Sequence, residues 1–183
     1  MTTQRKRTPQ YLIALVATLA ACGMTDAALA ASTTATATAT VLVPMTITKS
    51  ADLNFGELVA GNGTVTLDTS GGRTKTGSTV LPSTGTITAA RFDVTGDTTH
   101  VFSISYTGSS TVLTDGTAAH DMAVTWISEA AAASTGKSSG GTVSTGTLAG
   151  GALSIFVGAS LVVDPAQVAG AYTGTIAVSV DYN

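Results

Sequence analysis

The chain has 183 residues, of which 10% are charged and 5% aromatic, and its 8 Lys and Arg against 11 Asp and Glu leave a net charge of −3. So few charges with a negative balance exclude nucleic acid or an anionic membrane surface as partner. One cysteine excludes an internal disulfide, and two histidines without a dense acidic loop leave zinc and calcium without a ligand set.

Residues 1–30 read as a secretory signal peptide. Arg5, Lys6 and Arg7 form a basic start, residues 11–24 are apolar and uncharged, and Ala28-Leu29-Ala30 is a small-x-small cleavage site. A second processing route stays open. Leu19 to Cys22 reads "LAAC", a lipobox in which Cys22 becomes the lipidated N-terminus of an outer-membrane lipoprotein. Cleavage after Ala30 instead removes Cys22, and core packing or a partner must then supply stability in an oxidising compartment. The chain beyond Ala30 has the length of one domain.

Residues 31–43, "ASTTATATATVLV", form an N-terminal extension with the best two-residue alternation in the chain. Ala35, Ala37, Ala39, Val41 and Val43 share one face. The domain proper is expected over 44–183. "LNFGELVAGNGTVTL" (53–67) holds Asn62-Gly63 between two apolar runs, which predicts a hairpin. "LPSTG" (81–85) matches a wall-sorting signal, but no apolar span and basic tail come after it, so a strand end and a turn are expected. Further strands place Phe102, Ile104 and Tyr106, then Met122, Val124 and Trp126, then Leu153, Ile155, Val157, Leu161 and Val163, and last Ile176, Val178, Val180 and Tyr182, each set on one face. "EAAAAS" (129–134) has the composition for one helical turn, and 134–146 for an exposed loop. Many strands without crossover helices predict an all-β fold, an antiparallel β-sandwich.

The chemical motifs are weak. Gly136-Lys137-Ser138 has the end of a phosphate loop, but Ala131 stands at its first glycine position. "LDTSGG" (67–72) is interrupted by Ser70 as a protease motif and predicts a turn. His100 is expected at a strand end and His120 in a loop. No catalytic residue and no cofactor are expected, and the protein reads as a non-enzyme.

The two ends carry a resemblance. "GAYTGTIAVSVDYN" places Gly170 fourteenth from the end and Tyr182 penultimate, and so resembles the last strand of chaperone–usher pilins. "ADLNFGELVAG" (51–61) is similar to the Leu-Asn-Phe-Gly segment of spore coat protein U-like, archaic pilins. These stretches, with "TATVLVPMTITKSADLNFG" and "FVGASLVVDPAQVAGAYTGT", are also similar to a secreted pilin-like family, domain of unknown function 4402. The absence of a cysteine pair favours that family over the archaic pilins.

The resemblance implies an immunoglobulin-like sandwich lacking its last strand. A periplasmic chaperone would fill the gap first, and the extension of the next subunit would then replace it as a donor strand. On that implication Ala35, Ala37, Ala39, Val41 and Val43 are the donor residues. Gly170, Ile176, Val178, Val180 and Tyr182 mark the C-terminal assembly strand. The implied partners are identical or related pilin subunits, the chaperone and an outer-membrane usher. The implied location is the cell surface, as a fimbrium, reached through the periplasm. The alternative is a monomeric secreted or lipid-anchored carbohydrate-binding sandwich, for which Trp126 is the main aromatic available.

Overall fold

The computed structural model describes residues 31–131 and 142–183. The signal region, Cys22, Ala28 and Ala30, and the Gly136-Lys137-Ser138 motif lie outside the described residues. Residues 31–39 are exposed and carry no regular secondary structure. Thr40–Asn183 form a compact unit.

That unit is all-β and antiparallel. The strands are β1 (Thr46–Ala51), β2 (Gly63–Leu67), β3 (Arg73–Lys75), β4 (Ala90–Thr95), β5 (Val101–Ser105), β6 (Val112–Leu113), β7 (Met122–Ala131), β8 (Thr145–Thr147), β9 (Ala152–Val163) and β10 (Ser179–Tyr182). The only helical piece among the described residues is a 3₁₀ turn, Ala118–His120, which His120 ends.

β9 organises the larger sheet. Along one edge it pairs with β7, from Val124↔Leu161 to Ala131↔Ser154. Its other edge is shared, with β4 pairing up to Ala90↔Val157 and β2 taking over at Leu67↔Ala159. β1 extends β4, β3 extends β2, and β6 extends β7. The second sheet runs β10-β5-β8. Between the sheets, Phe92, Val94, Phe102, Ile104, Leu148, Ile155 and Val157 form one buried cluster. Phe55, Val65, Leu67, Met122, Val124, Leu161 and Val163 form another. The alternating residues of β5, β7 and β9 thus supply the core of an antiparallel β-sandwich, as their period predicts.

Two local expectations fail. Asn62-Gly63 is not a hairpin turn: Asn62 C=O accepts Ser78 N–H at 2.9 Å, and residues 53–61 make only bridges, Asn54↔Thr88 and Val59↔Val80. Gly63 answers a packing need instead, because a Cβ there would collide with the Thr76 carbonyl. The hairpin forms one strand later, between β2 and β3, around Asp68–Gly72. There Asp68 Oδ1 accepts the N–H groups of Ser70 and Gly72, and Gly71 sits at φ 87. Glu129–Ala131 are not helical but finish β7, held by pairing with Phe156, Ile155 and Ser154. "LPSTG" does lie outside the strands: Leu81 is half-buried against the core, and Ser83 to Gly85 are exposed, with Gly85 at φ 87.

Candidate assembly groove

The C-terminal strand has one satisfied edge and one open edge. Asn183 N–H donates to Val101 C=O at 3.2 Å, which fixes the odd residues of β10 as those bonded to β5. The same parity continues upstream. Thr173 exchanges both backbone bonds with Thr114 at 2.9 Å, and Thr175 C=O accepts Ser110 N–H at 2.8 Å. Ser110 Oγ accepts Thr175 N–H, and Ser109 Oγ accepts Ala177 N–H and donates to Ala177 C=O. The even residues from Tyr172 to Tyr182 therefore turn their N–H and C=O groups to the other edge. No ladder or bridge among the described residues pairs that edge.

Beside this edge lies a groove of about 880 Å³, walled by residues 52–60 on one side and 167–174 on the other. Its apolar lining includes Leu53, Phe55, Leu58, Leu113, Trp126 and Ile176. A smaller hollow of about 240 Å³ continues it past Ala51, Phe92 and Thr175.

The first wall owes its shape to "LNFG". Leu53 and Phe55 point inward by strand alternation. Gly56 then takes φ 71, with its N–H held by Asn54 Oδ1 at 2.8 Å, and the phase flips so that Leu58 packs inward next. Arg73 bonds the wall in place. Its guanidinium donates to the carbonyls of Phe55, Glu57 and Pro82, at 2.8 Å for Glu57. Nothing in the chain's periodicity points to Arg73, since its targets are backbone atoms of distant loops. Leu53 and Leu58 carry the apolar signal of their stretch, but not their position opposite the C-terminus.

Ile176, Val178, Val180 and Tyr182 are half-buried against the inter-sheet cluster. Ile176 and Val178 precede the assigned strand β10, held by serine side chains rather than by a ladder. Gly170 is exposed in the loop that lines the far end of the groove. Of the extension, Val41 is 92% and Val43 58% exposed. Trp126 is half-buried, its Nε1–H donated to Ser110 C=O at 2.8 Å, so it lies on the groove floor.

Asp52 and Glu57 lie on the groove wall, and the ionisable groups with shifted carboxyls sit elsewhere. His120 Nδ1 pairs with Asp115 Oδ2 at 2.7 Å in an exposed loop, and hydrogen bonds from His120 and Thr117 hold the Asp115 carboxyl below the usual range. On β4, burial pushes the Asp93 carboxyl up, but hydrogen bonds from Ser154, Ser50 and Arg91, with the Arg91 charge, outweigh it and leave it lowered. Among the described residues no group of three His, Cys, Asp or Glu is placed to hold a metal ion.

The fold and the groove define an antiparallel β-sandwich with an open, apolar-floored strand edge. The chain belongs to the family described as Domain of unknown function (DUF4402), whose model matches residues 45–182. No curated protein and no solved structure matches the chain.

Proposed function

We propose that this protein is a non-enzymatic structural subunit of an exported surface fibre, built by donor-strand complementation. The observation that carries this reading is the unpaired edge from Tyr172 to Tyr182, which borders the apolar-floored groove as far as Ile176 and packs Val178, Val180 and Tyr182 on the core beyond it. A bare edge of that length invites a strand, because it offers unpaired backbone groups and apolar cover together. The proposed occupant during export is a chaperone strand handed on at an outer-membrane usher. In the fibre it is the extension 31–43 of a related subunit. The period-2 pattern of that extension suits one face down and one face up.

Two Val at ~1.5 kcal/mol and three Ala methyls at ~0.8 kcal/mol each sum to about 5 kcal/mol as an upper figure. Ladder hydrogen bonds add about 0.5 to 1 kcal/mol each. Because faces alternate, phase is the test. Inserting one Thr between Thr38 and Ala39 sets Ala35 and Ala37 against Val41 and Val43. Inserting Thr-Ala after Ala37 keeps them together. Surface fibres counted by electron microscopy should be lost with the first and retained with the second. Equal yields would overturn the reading.

A further inference from the structure

We infer that the Tyr182 hydroxyl is a clasp through which the seated C-terminal strand holds residues 40–43, the root of the extension, with Leu42 covered and Val41 and Val43 turned out. The apolar odd face of the root is then offered to a partner only by a chain whose C-terminus is docked. The clasp stands apart from the donor-strand reading; the partner it serves rests on that reading.

The first observation is a break in phase. Met45 and Ile47 pack on the inter-sheet cluster. Strict alternation would carry Val43 and Val41 inward behind them. Instead Val43 is 58% and Val41 92% exposed, and Leu42 between them is half-buried. The reversal falls at Pro44, which has no N–H and keeps Val43 extended. Residues 40–43 belong to the compact unit. Two valines on it would gain by turning inward, so something must hold the root the other way.

The second observation is what holds it. The Tyr182 hydroxyl donates to Val43 C=O at 2.8 Å and accepts Asp97 N–H at 2.6 Å. The ladder of β1 with β4 begins only at Thr46, so Val43 C=O lies outside it. Tyr182 is itself fixed. Its strand pairs it with Phe102, and Asn183 donates its N–H to Val101 C=O and accepts the Ser103 hydroxyl. β5 thus places the hydroxyl, and the hydroxyl places Val43.

The third observation is that the loop from β4 to β5 is shaped around this hydroxyl. A Cβ on Gly96 would strike it. Thr99 takes φ 66, alone among the described non-glycine residues in the left-handed region, which is costly for a β-branched side chain. Its N–H donates to Leu148 C=O at 2.8 Å, and the next residue, His100, meets the Tyr182 ring edge-on with centroids 5.8 Å apart. Space, strain and a ring contact all serve one hydroxyl whose far partner is the root.

The test removes the hydroxyl and keeps the ring. Tyr182→Phe and Val180→Ala are made in the full chain, expressed for export. The monomer is digested with a protease that cuts beside apolar residues, and intact mass follows cleavage at 41–43. Such cutting reports how often the root opens. Tyr182→Phe should speed it roughly tenfold, the worth of one hydrogen bond. Val180→Ala trims the core packing of the same strand but keeps the hydroxyl. It should lower Tm more than Tyr182→Phe does and leave the cutting rate near the natural one. An equal rise with both variants would show that the root merely follows the stability of the strand, and would overturn the clasp. So would no rise with Tyr182→Phe. Two further arms read the partner. Tyr182→Phe should form fewer multimers that resist detergent without boiling; the natural level from a chain with a loosened root would overturn the presenting role. Val41→Asp leaves the clasp in place and spoils the face it presents, so it should lose multimers. Multimers at the natural level from Val41→Asp would overturn the donor-strand reading and leave the clasp standing.

Discussion

At the residue scale, the polar groups of this chain serve backbone and sheet, and their work is measurable by pH. Asp93 takes hydrogen bonds from Ser50, from Ser154 at 2.6 Å and from Arg91 at 2.8 Å, joining β1, β4 and β9 across one face. Its carboxyl is lowered in the folded state. A lowered carboxyl contributes stability above its unfolded value, near pH 4, and loses it as pH falls through the folded value. Asp93→Asn should therefore be less stable than the natural chain at pH 7, by less than about 1 kcal/mol because the pair with Arg91 is partly exposed. The gap should close as pH falls below about 4. Urea midpoints from pH 7 to pH 3 check this, and a gap constant with pH would refute it.

At the element scale, β9 is the member that most needs its sequence. It changes neighbours at Gly158, between Val157↔Ala90 and Ala159↔Leu67. The end of β2 passes so close there that a Cβ would collide with the Leu67 carbonyl, and it would lie 2.8 Å from the Asp68 carbonyl carbon. The obstacle is backbone, which cannot swing aside. Gly158→Ala should cost about 2 to 3 kcal/mol by overpacking. Ser160→Ala, two residues on, removes only a hydroxyl contact with Thr66 and should cost about 1 kcal/mol or less. Thermal unfolding of the pair gives the comparison, and equal losses would show that the switch tolerates a side chain.

The same strand shows what sequence reveals. Period 2 told which residues of β5, β7 and β9 face inward, because burial selects alternate side chains whatever the neighbour. It could not tell that β9 has two neighbours on one edge, since pairing is set across long separations. Asn62-Gly63 misled for the same reason: a turn-favouring pair signals local chemistry, while Gly63 serves a close approach by Thr76. The alternation of "AVTWIS" and "SIFVG" also hides Ile127 and Phe156. Both are buried, although their register puts them on the face opposite Val124 and Ile155. Arg91 lies over the Phe156 ring at 5.6 Å. For the groove, the C-terminal residues were legible as an apolar face. That Leu53, Phe55 and Leu58 stand across from them was not, because no local pattern links residues over a hundred positions apart.

At the scale of the whole molecule, the unpaired edge of the C-terminal segment is, on the proposed reading, the place of a missing strand, and the stability of the lone chain should then depend on one supplied from outside. Anything that binds the folded state alone stabilises it by RT ln(1 + [L]/Kd), about 2.7 kcal/mol at a hundredfold excess over Kd. For a domain of this size that is a rise in Tm of roughly 5 to 11 °C. The Val41→Asp chain, whose own extension is disabled, is the right receiver. A synthetic peptide of residues 31–43 should raise its Tm in a concentration-dependent way. A peptide with one Thr inserted between Thr38 and Ala39 has the same composition within one residue and the same lack of charge. It cannot point all five small apolar side chains inward together, so its effect should be at least several-fold weaker at equal concentration. Non-specific association of a mild apolar peptide would stabilise equally with either sequence, and that outcome, like no shift with either, would remove the groove as a strand receiver. A shift from the natural peptide alone would tie the alternation of the N-terminus to the open edge at the C-terminus.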